Sequence, residues 1–482
     1  MVDASGKIVY QGKPNVCHRP GLLKRTYTYV ALAITGAAVP LLIELAFYVA
    51  GWDINRGVVD SDKFLRLTFR ILDQGMFGWN DSVTGKFLPE LDVVPGYPYF
   101  VAAIFWLLGR DNFWAVGIVQ ALLAGGTVLA IGLAAQAIKE EWLVPAAILA
   151  AVWPNLAYRP TTILSETLFT FLLASGLCAL LWAAKADRPF KLLLLGGVAF
   201  GAAYLTRPVL LFFPILLTPA LAWLIHRERR RGWRSVAWAG VPIAIMLAFT
   251  LPNYVRSYAA YGQPMFTLQQ GHNLLFYIYP CLAADWGCGN PDQGAAGRAQ
   301  AEFDRAVTPE IVANPVVLNA VETEIGTRLI SELGPLQFAE AVVGSTLKLL
   351  LHTTAYEVLQ RFDLPVRYFG QTAGDGLVAR ARAFVAEILS TPSMLVWALA
   401  EAVLLLSRVV QAIGAVGMLW RTDLRPAAIV LLAYAIAVLG VSVGFGNPRY
   451  RVPLEPGLIL LTVAGLDFLV AALRRPRTKE TR

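Results

Sequence analysis

Charge is what this chain has least of. Of its 482 residues only 15% are Asp, Glu, Lys or Arg, against 57% hydrophobic, and its mean hydropathy is +0.56. A soluble domain carries roughly a quarter charged residues, so water cannot be the solvent for most of this surface. Cysteine is also scarce, at four residues. Cys281 and Cys288 share one hydrophilic segment. They are either bonded, if that segment faces an oxidising space, or two free thiols; Cys17 and Cys178 have no obvious partner. The signatures of many soluble enzymes are missing: no P-loop, no HExxH and no GxSxG. ATP is therefore not expected as an energy source. There is no repeat of fixed period and no pair of inverted transporter-style halves. Residues 1–20 are polar, without an early apolar run before a small-residue cleavage site. No cleavable signal peptide is expected, and the first span should serve as its own insertion signal.

What is there is a series of apolar runs of about 20 residues, long enough to cross a hydrocarbon layer of about 30 Å. The expected class is an all-α polytopic membrane protein. The net charge of +8 would fit nucleic acid, but its placement does not. Arg227, Arg229, Arg230, Arg231 and Arg234 crowd one short break between apolar segments, and Arg474, Arg475, Arg477, Lys479 and Arg482 end the chain. Basic residues beside helix ends orient spans, positive side inward. No aromatic-basic groove is visible, so no nucleic-acid partner is expected.

Charge then fixes a topology. The first helix runs from about Tyr27 to Ala50 behind Lys24 and Arg25, with Glu44 near its outer end. A polar gap follows, in which Phe64, Leu65, Leu67, Phe69 and Leu72 have the spacing of an amphipathic surface helix. Long apolar segments lie at about 113–138, 142–159, 164–184, 191–206, 209–225 and 234–254. The loop of Asp60 is outside and the arginine-rich break at 226–234 inside, so an odd number of crossings separates them. The five long segments between satisfy this only if Tyr97–Leu108 does not cross. That segment is therefore read as re-entrant or interfacial, which is tolerated where it lines a cavity. Segment 336–355 is read as interfacial, because it carries Lys348 and His352. Spans at about 393–419, 426–445 and 457–473 complete ten crossings. The expected divisions are a cytoplasmic N-terminus (1–26), a transmembrane catalytic core (27–254) with its first outer loop at 51–96, a periplasmic or interfacial segment (255–392), C-terminal spans (393–473) and a cytoplasmic tail (474–482).

On this topology several charged residues meet at the outer face. Asp60 and Asp62 follow the first span; a carboxylate there can act as general base or hold a divalent metal by oxygen, and the pair can equally be a solvated loop. Glu166 opens a long apolar helix, where the helix dipole favours a carboxylate. Arg207, Arg256, Arg449 and Arg451 all map outside, against the positive-inside tendency. Their planar forks suit phosphate oxygens, and lipid headgroups are the plainer alternative. His272 and Asn273 lie in the outer segment and, with Tyr97, are candidates for a substrate pocket. The cofactor remains unknown, with a divalent metal possible.

In order along the chain, DSDKF at Asp60, VVPGYPYF at Val93–Phe100, Ser165–Glu166, LTRP at Leu205–Pro208, NYVRSYAAYG, GHNLLF and RYRVPLEP are similar to the type C glycosyltransferases that use polyprenyl-phosphate sugars. The resemblance is to the branch of protein O-mannosyltransferases and lipid A aminoarabinose transferase. It covers about residues 27–280 and, more loosely, the last 60. It implies a helical core in which Asp60 is the catalytic carboxylate, Glu166 the second acid and the arginines the carrier-phosphate ligands. The implied reaction is inverting displacement of polyprenyl phosphate from a sugar by an unidentified lipid, glycan or protein acceptor, at the outer face of the inner membrane. Phe64 stands where such sequences often have Tyr, and DSD leaves Asp62 competing with Asp60. A transporter or flippase of a lipid-linked sugar, and a polysaccharide polymerase or ligase, are the alternative readings.

Overall fold

A computed structural model describes residues 22–52, 60–80, 85–210, 212–229, 232–284, 293–367, 372, 377–442 and 447–474. The chain is an all-α polytopic membrane protein. Seven of its described helices are long and apolar enough to cross a membrane. Helix α1 (Leu22–Val49) is followed by the amphipathic α2 (Ser61–Gln74), a two-stranded antiparallel hairpin of β1 (Gly78–Asn80) and β2 (Phe87–Pro89), and the short apolar α3 (Gly96–Leu108). Then come α4 (Phe113–Ile138), α5 (Leu143–Ala151), α6 (Pro154–Tyr158), α7 (Glu166–Lys185), α8 (Phe190–Thr206), α9 (Phe213–Arg229) and α10 (Arg234–Tyr261). The segment after α10 holds α11 (Gln269–Asn273), α12 (Tyr279–Ala283), α13 (Gln293–Ala306), α14 (Pro309–Val312), α15 (Pro315–Ser331), α16 (Pro335–Leu351), α17 (Ala355–Arg361) and α18 (Leu377–Ser390). The chain ends with α19 (Pro392–Trp420), α20 (Arg425–Ser442) and α21 (Glu455–Arg474).

Contacts at the helix ends fix the directions. Arg25 at the start of α1 pairs with Glu140 just past α4 at 3.4 Å, and Lys139 pairs with Asp467 near the end of α21 at 2.9 Å. At the other end Tyr48 of α1 meets Trp114 of α4, ring centroids 5.4 Å apart. So α1 runs one way, and α4 and α21 the other. Both ends of α3 lie at the end where α1 finishes. Its Gly96 abuts Leu205 at the close of α8, and Phe105 meets Phe113 at the opening of α4, centroids 5.6 Å apart. Such a placement fits the reading of Tyr97–Leu108 as re-entrant or interfacial. The expected span at 142–159 is a broken crossing, since Val152 and Trp153 separate α5 from α6 where Pro154 cannot continue the hydrogen-bond ladder. α16 does not traverse the bundle: its last carbonyls meet Arg451 and Arg408, and the chain returns through α17 to Phe362, which packs on Phe47 of α1 at 5.2 Å.

Small residues let the helices close up. Gly414 of α19 and Gly465 of α21 lie where an added Cβ would strike the partner helix's backbone. Such close approach is how apolar helices associate when no hydrophobic drive separates lipid from protein. Cys281 is disulfide-bonded, and Cys178 is a free thiol. Cys17, Cys288, Arg230, Arg231 and the basic residues beyond Arg474 lie outside the described residues.

Candidate active site

Asp60 precedes the first residue of α2. Its side chain does not cap that helix. Instead it accepts a hydrogen bond from Arg449 Nη1 and remains about half exposed. Ser61 holds it in place: the hydroxyl donates to the Ile163 carbonyl at 3.0 Å, tying the start of α2 to the turn that leads into α7. That turn ends at Glu166, the first residue of α7 and fully buried. Beneath it Gln120 donates to the carbonyls of Pro160 (2.8 Å) and Thr162 (2.9 Å), and Tyr97 donates to Gln120 Oε1 at 2.9 Å. Tyr97 is thus a fully buried brace of the turn and does not line an open pocket.

Glu166 Oε1 takes two guanidiniums. Arg449 Nε donates to it, and Arg207 Nη1 lies 2.6 Å away. Arg207 stands in extended backbone just after α8, where Pro208 follows, and its guanidinium sits 5.8 Å from the Tyr450 ring centroid. Gly96 is the reason α3 can approach here, because an added Cβ would come within 2.6 Å of the Leu205 carbonyl. Arg449 opens a 3₁₀ turn whose start is fixed by Asn447, whose Oδ1 accepts from the Arg449 amide at 2.8 Å. One arginine therefore bridges two carboxylates, from sequence positions 389 and 283 residues away.

The other candidates lie elsewhere. Asp62 is exposed in the first turn of α2, the ordinary place for an acid at a helix start. Arg256 of α10 donates to the Glu90 carbonyl at 2.9 Å and covers the Phe77 ring at 5.0 Å, which ties the β hairpin to α10. Glu90 itself accepts from the amides of Asp92 (2.7 Å) and Val93 (3.2 Å). Burial pushes its carboxyl above the ordinary 4.5, with the charge of Asp92 adding to the push. Arg451 is buried: it pairs with Glu455 at 2.8 Å and donates to the carbonyls of Leu349 (2.8 Å), Leu350 (3.2 Å) and His352 (2.6 Å). It caps the C-terminus of α16, where orphan carbonyls and the negative end of the dipole favour a cation. His272, on α11 with Asn273, faces Glu322 of α15 at 3.4 Å and the ring of Phe276 at 4.9 Å, inside the post-α10 segment. Among the described residues no group of three His, Cys, Asp or Glu is placed to hold a metal.

Reading the sequence missed Ser61, Gln120 and Arg159. Ser61 had one visible signal, a small hydroxyl residue between two acids. Gln120 and Arg159 had only their oddity as polar residues within apolar stretches.

A polar cluster drawn from four separated helix ends sits at one end of the apolar bundle of this all-α polytopic membrane protein. Residues 92–255 match the model of the dolichyl-phosphate-mannose-protein mannosyltransferase family, the branch the motifs resemble. Among solved structures, the chain is similar to the oligosaccharyltransferase AglB of Archaeoglobus fulgidus in complex with an inhibitory peptide and a dolichol-phosphate. The identity is 15% and the TM-score 0.53, covering 93% of this chain and 51% of that one. The same enzyme in its apo form gives 14% identity and a TM-score of 0.51, covering 94% and 51%. ArnT of Cupriavidus metallidurans bound to undecaprenyl phosphate aligns at 16% identity over 94% of this chain and 79% of its own, with a TM-score of 0.37. The chain spans about half the length of the oligosaccharyltransferase structures it matches. No curated protein matches its sequence.

Proposed function

We propose that the chain transfers a sugar, with inversion, from a polyprenyl-phosphate carrier to a lipid, glycan or protein acceptor. The observation that carries this is Arg449 held between Asp60 and Glu166, with Arg207 beside it. Two guanidiniums near a half-exposed carboxylate suit a phosphorylated substrate and a protic acceptor at once. Asp60 is the catalytic base, and Glu166 sets the positions of the two arginines. Arriving carrier phosphate draws Arg449 toward itself and off Asp60, which frees the carboxylate. The acceptor oxygen or nitrogen then attacks the anomeric carbon on the face away from the phosphate. Its bond to carbon forms as the carbon–oxygen bond to phosphate breaks. The acceptor proton passes to Asp60, and Arg207 and Arg449 take up the charge left on the polyprenyl phosphate.

The same reading places the site on the periplasmic face of the inner membrane. Cys281, disulfide-bonded, lies in the segment that follows α10 at the site end, and disulfides persist in oxidising compartments. Lys185, Arg188, Lys191, Arg421 and Arg425 all lie at loops of the other end, as positive-inside orientation requires. A transporter would gather its polar groups near the bilayer midplane; here they sit at helix ends.

The test is sugar transfer by purified protein in nanodiscs, using a panel of radiolabelled polyprenyl-phosphate sugars and a membrane lipid extract as acceptor. Asp60→Asn is expected to slow turnover about 100-fold or more while donor still binds. Full activity in Asp60→Asn would remove the assignment.

A further inference from the structure

Arg159 lies in the turn between α6 and α7, 3% exposed, within the catalytic half of the chain. Its Nη1 pairs with Glu357 of α17 at 2.8 Å, while its Nε and Nη2 have no partner. On the interior side of Glu166 is a cavity of about 10 Å³, lined by Arg159, Thr127, Thr167, Thr170 and three apolar residues. That is the room of one water. The hydroxyls of Thr167 and Thr170 have no protein partner there; at the start of α7, Glu166 Oε2, the oxygen that Arg449 and Arg207 do not take, has none either. A water there would serve the hydroxyls, but a guanidinium buried so deeply needs a use for its charge.

Glu166 supplies one. Glu166 is faced by Arg207 from the end of α8 and by Arg449 and Tyr450 from the 448–454 turn. Asp60 faces it through Arg449, Tyr97 from α3, and Arg159 from the interior, close enough for its charge to act on Glu166. In the proposed reaction Arg207 and Arg449, still held by Glu166, also serve the carrier phosphate. A buried carboxylate that shares both of its cations is less fully compensated. Arg159 faces away from the open side and cannot follow the phosphate.

We infer that Arg159, anchored by Glu357, is a positioning residue: it supports the Glu166 carboxylate from the interior while Arg207 and Arg449 also serve the polyprenyl phosphate. This rests on the function proposed above. It also makes α17 the element through which the segment after α10 supports the site, since Arg361 donates to the Thr161 carbonyl at 3.2 Å and Thr354 donates to Asn155.

The test is binding of a synthetic polyprenyl phosphate to the full chain in nanodiscs. Arg159→Met/Glu357→Gln removes both charges of the pair and leaves neither stranded. It is introduced into the native and the Glu166→Gln backgrounds. Each affinity is taken as a ratio to its parent. In the native background the pair substitution is expected to weaken binding about tenfold. In the Glu166→Gln background it should change binding less than about twofold. Arg159→Lys, which keeps the charge, should stay within about threefold of native. Equal losses in both backgrounds, or no loss in either, overturn the inference alone. If the unaltered chain binds no polyprenyl phosphate, the proposed function falls first. Should the paired variant not fold, Arg159→Gln in the same two backgrounds gives the same comparison.

Discussion

Arg449 and Arg451 are two residues apart, and the sequence presents them as equals. Their environments are opposite. Arg449 bridges carboxylates from two distant helix starts, and Arg451 is spent on Glu455 and three carbonyls at the end of α16. The 3₁₀ turn at Pro448–Leu454 sends successive guanidiniums in different directions, a detail that spacing alone does not encode. Arg451→Met should therefore cost stability, about 3 kcal/mol for stranding a buried acid, and leave polyprenyl-phosphate affinity nearly intact. Arg449→Met should instead weaken that affinity about tenfold or more, with Arg207 still paired to Glu166. Thermal unfolding and lipid binding on the same samples separate the two. Glu166 was legible because charge parity put it on the same face as Asp60; Arg159 was not, since its role depends on a neighbour, Glu357, about 200 residues on.

At the scale of the element, α3 is informative. Parity of basic clusters placed it as non-crossing, and the contacts of both its ends agree. The broken crossing at α5 and α6 was not foreseen in its break, although Pro154 marks it. Two predictions belong here. Gly465→Ala in α21 should push α19 away, because the new methyl meets the Val410 backbone; a loss of about 1–3 kcal/mol is expected and is read by thermal unfolding in detergent. The β hairpin carries the second. Glu90 has its pKa raised in the fold by burial, so its ionisation opposes folding. This penalty is absent below the unfolded value near 4.5 and grows as pH rises through the folded value. Glu90→Gln keeps an acceptor for the two amides. Its advantage over wild type in melting temperature should thus appear only as pH rises above about 5.

For the whole molecule, the proposed function depends on four helix ends reaching one place: the starts of α2 and α7, the end of α8, and the turn before α21. Composition showed that the chain lives in lipid, and charge at loops showed which ends share a face. Neither could show which of the outer arginines converge, because convergence is decided by helix packing across hundreds of residues. Sidedness is testable without substrate. In intact cells an impermeant maleimide should label Asp60→Cys, which is half exposed at the site end, and spare Arg188→Cys at the other end, in a chain lacking its native Cys178 thiol. Labelling of both from the same side would break the topology.

The most direct measurement is a structure of the protein with a polyprenyl phosphate bound. The account predicts the phosphate in hydrogen-bond contact with Arg207 and Arg449, with Arg449 drawn off Asp60. A phosphate seated against Arg256 or Arg451, with the Asp60–Arg449–Glu166 bridge unchanged, would contradict it.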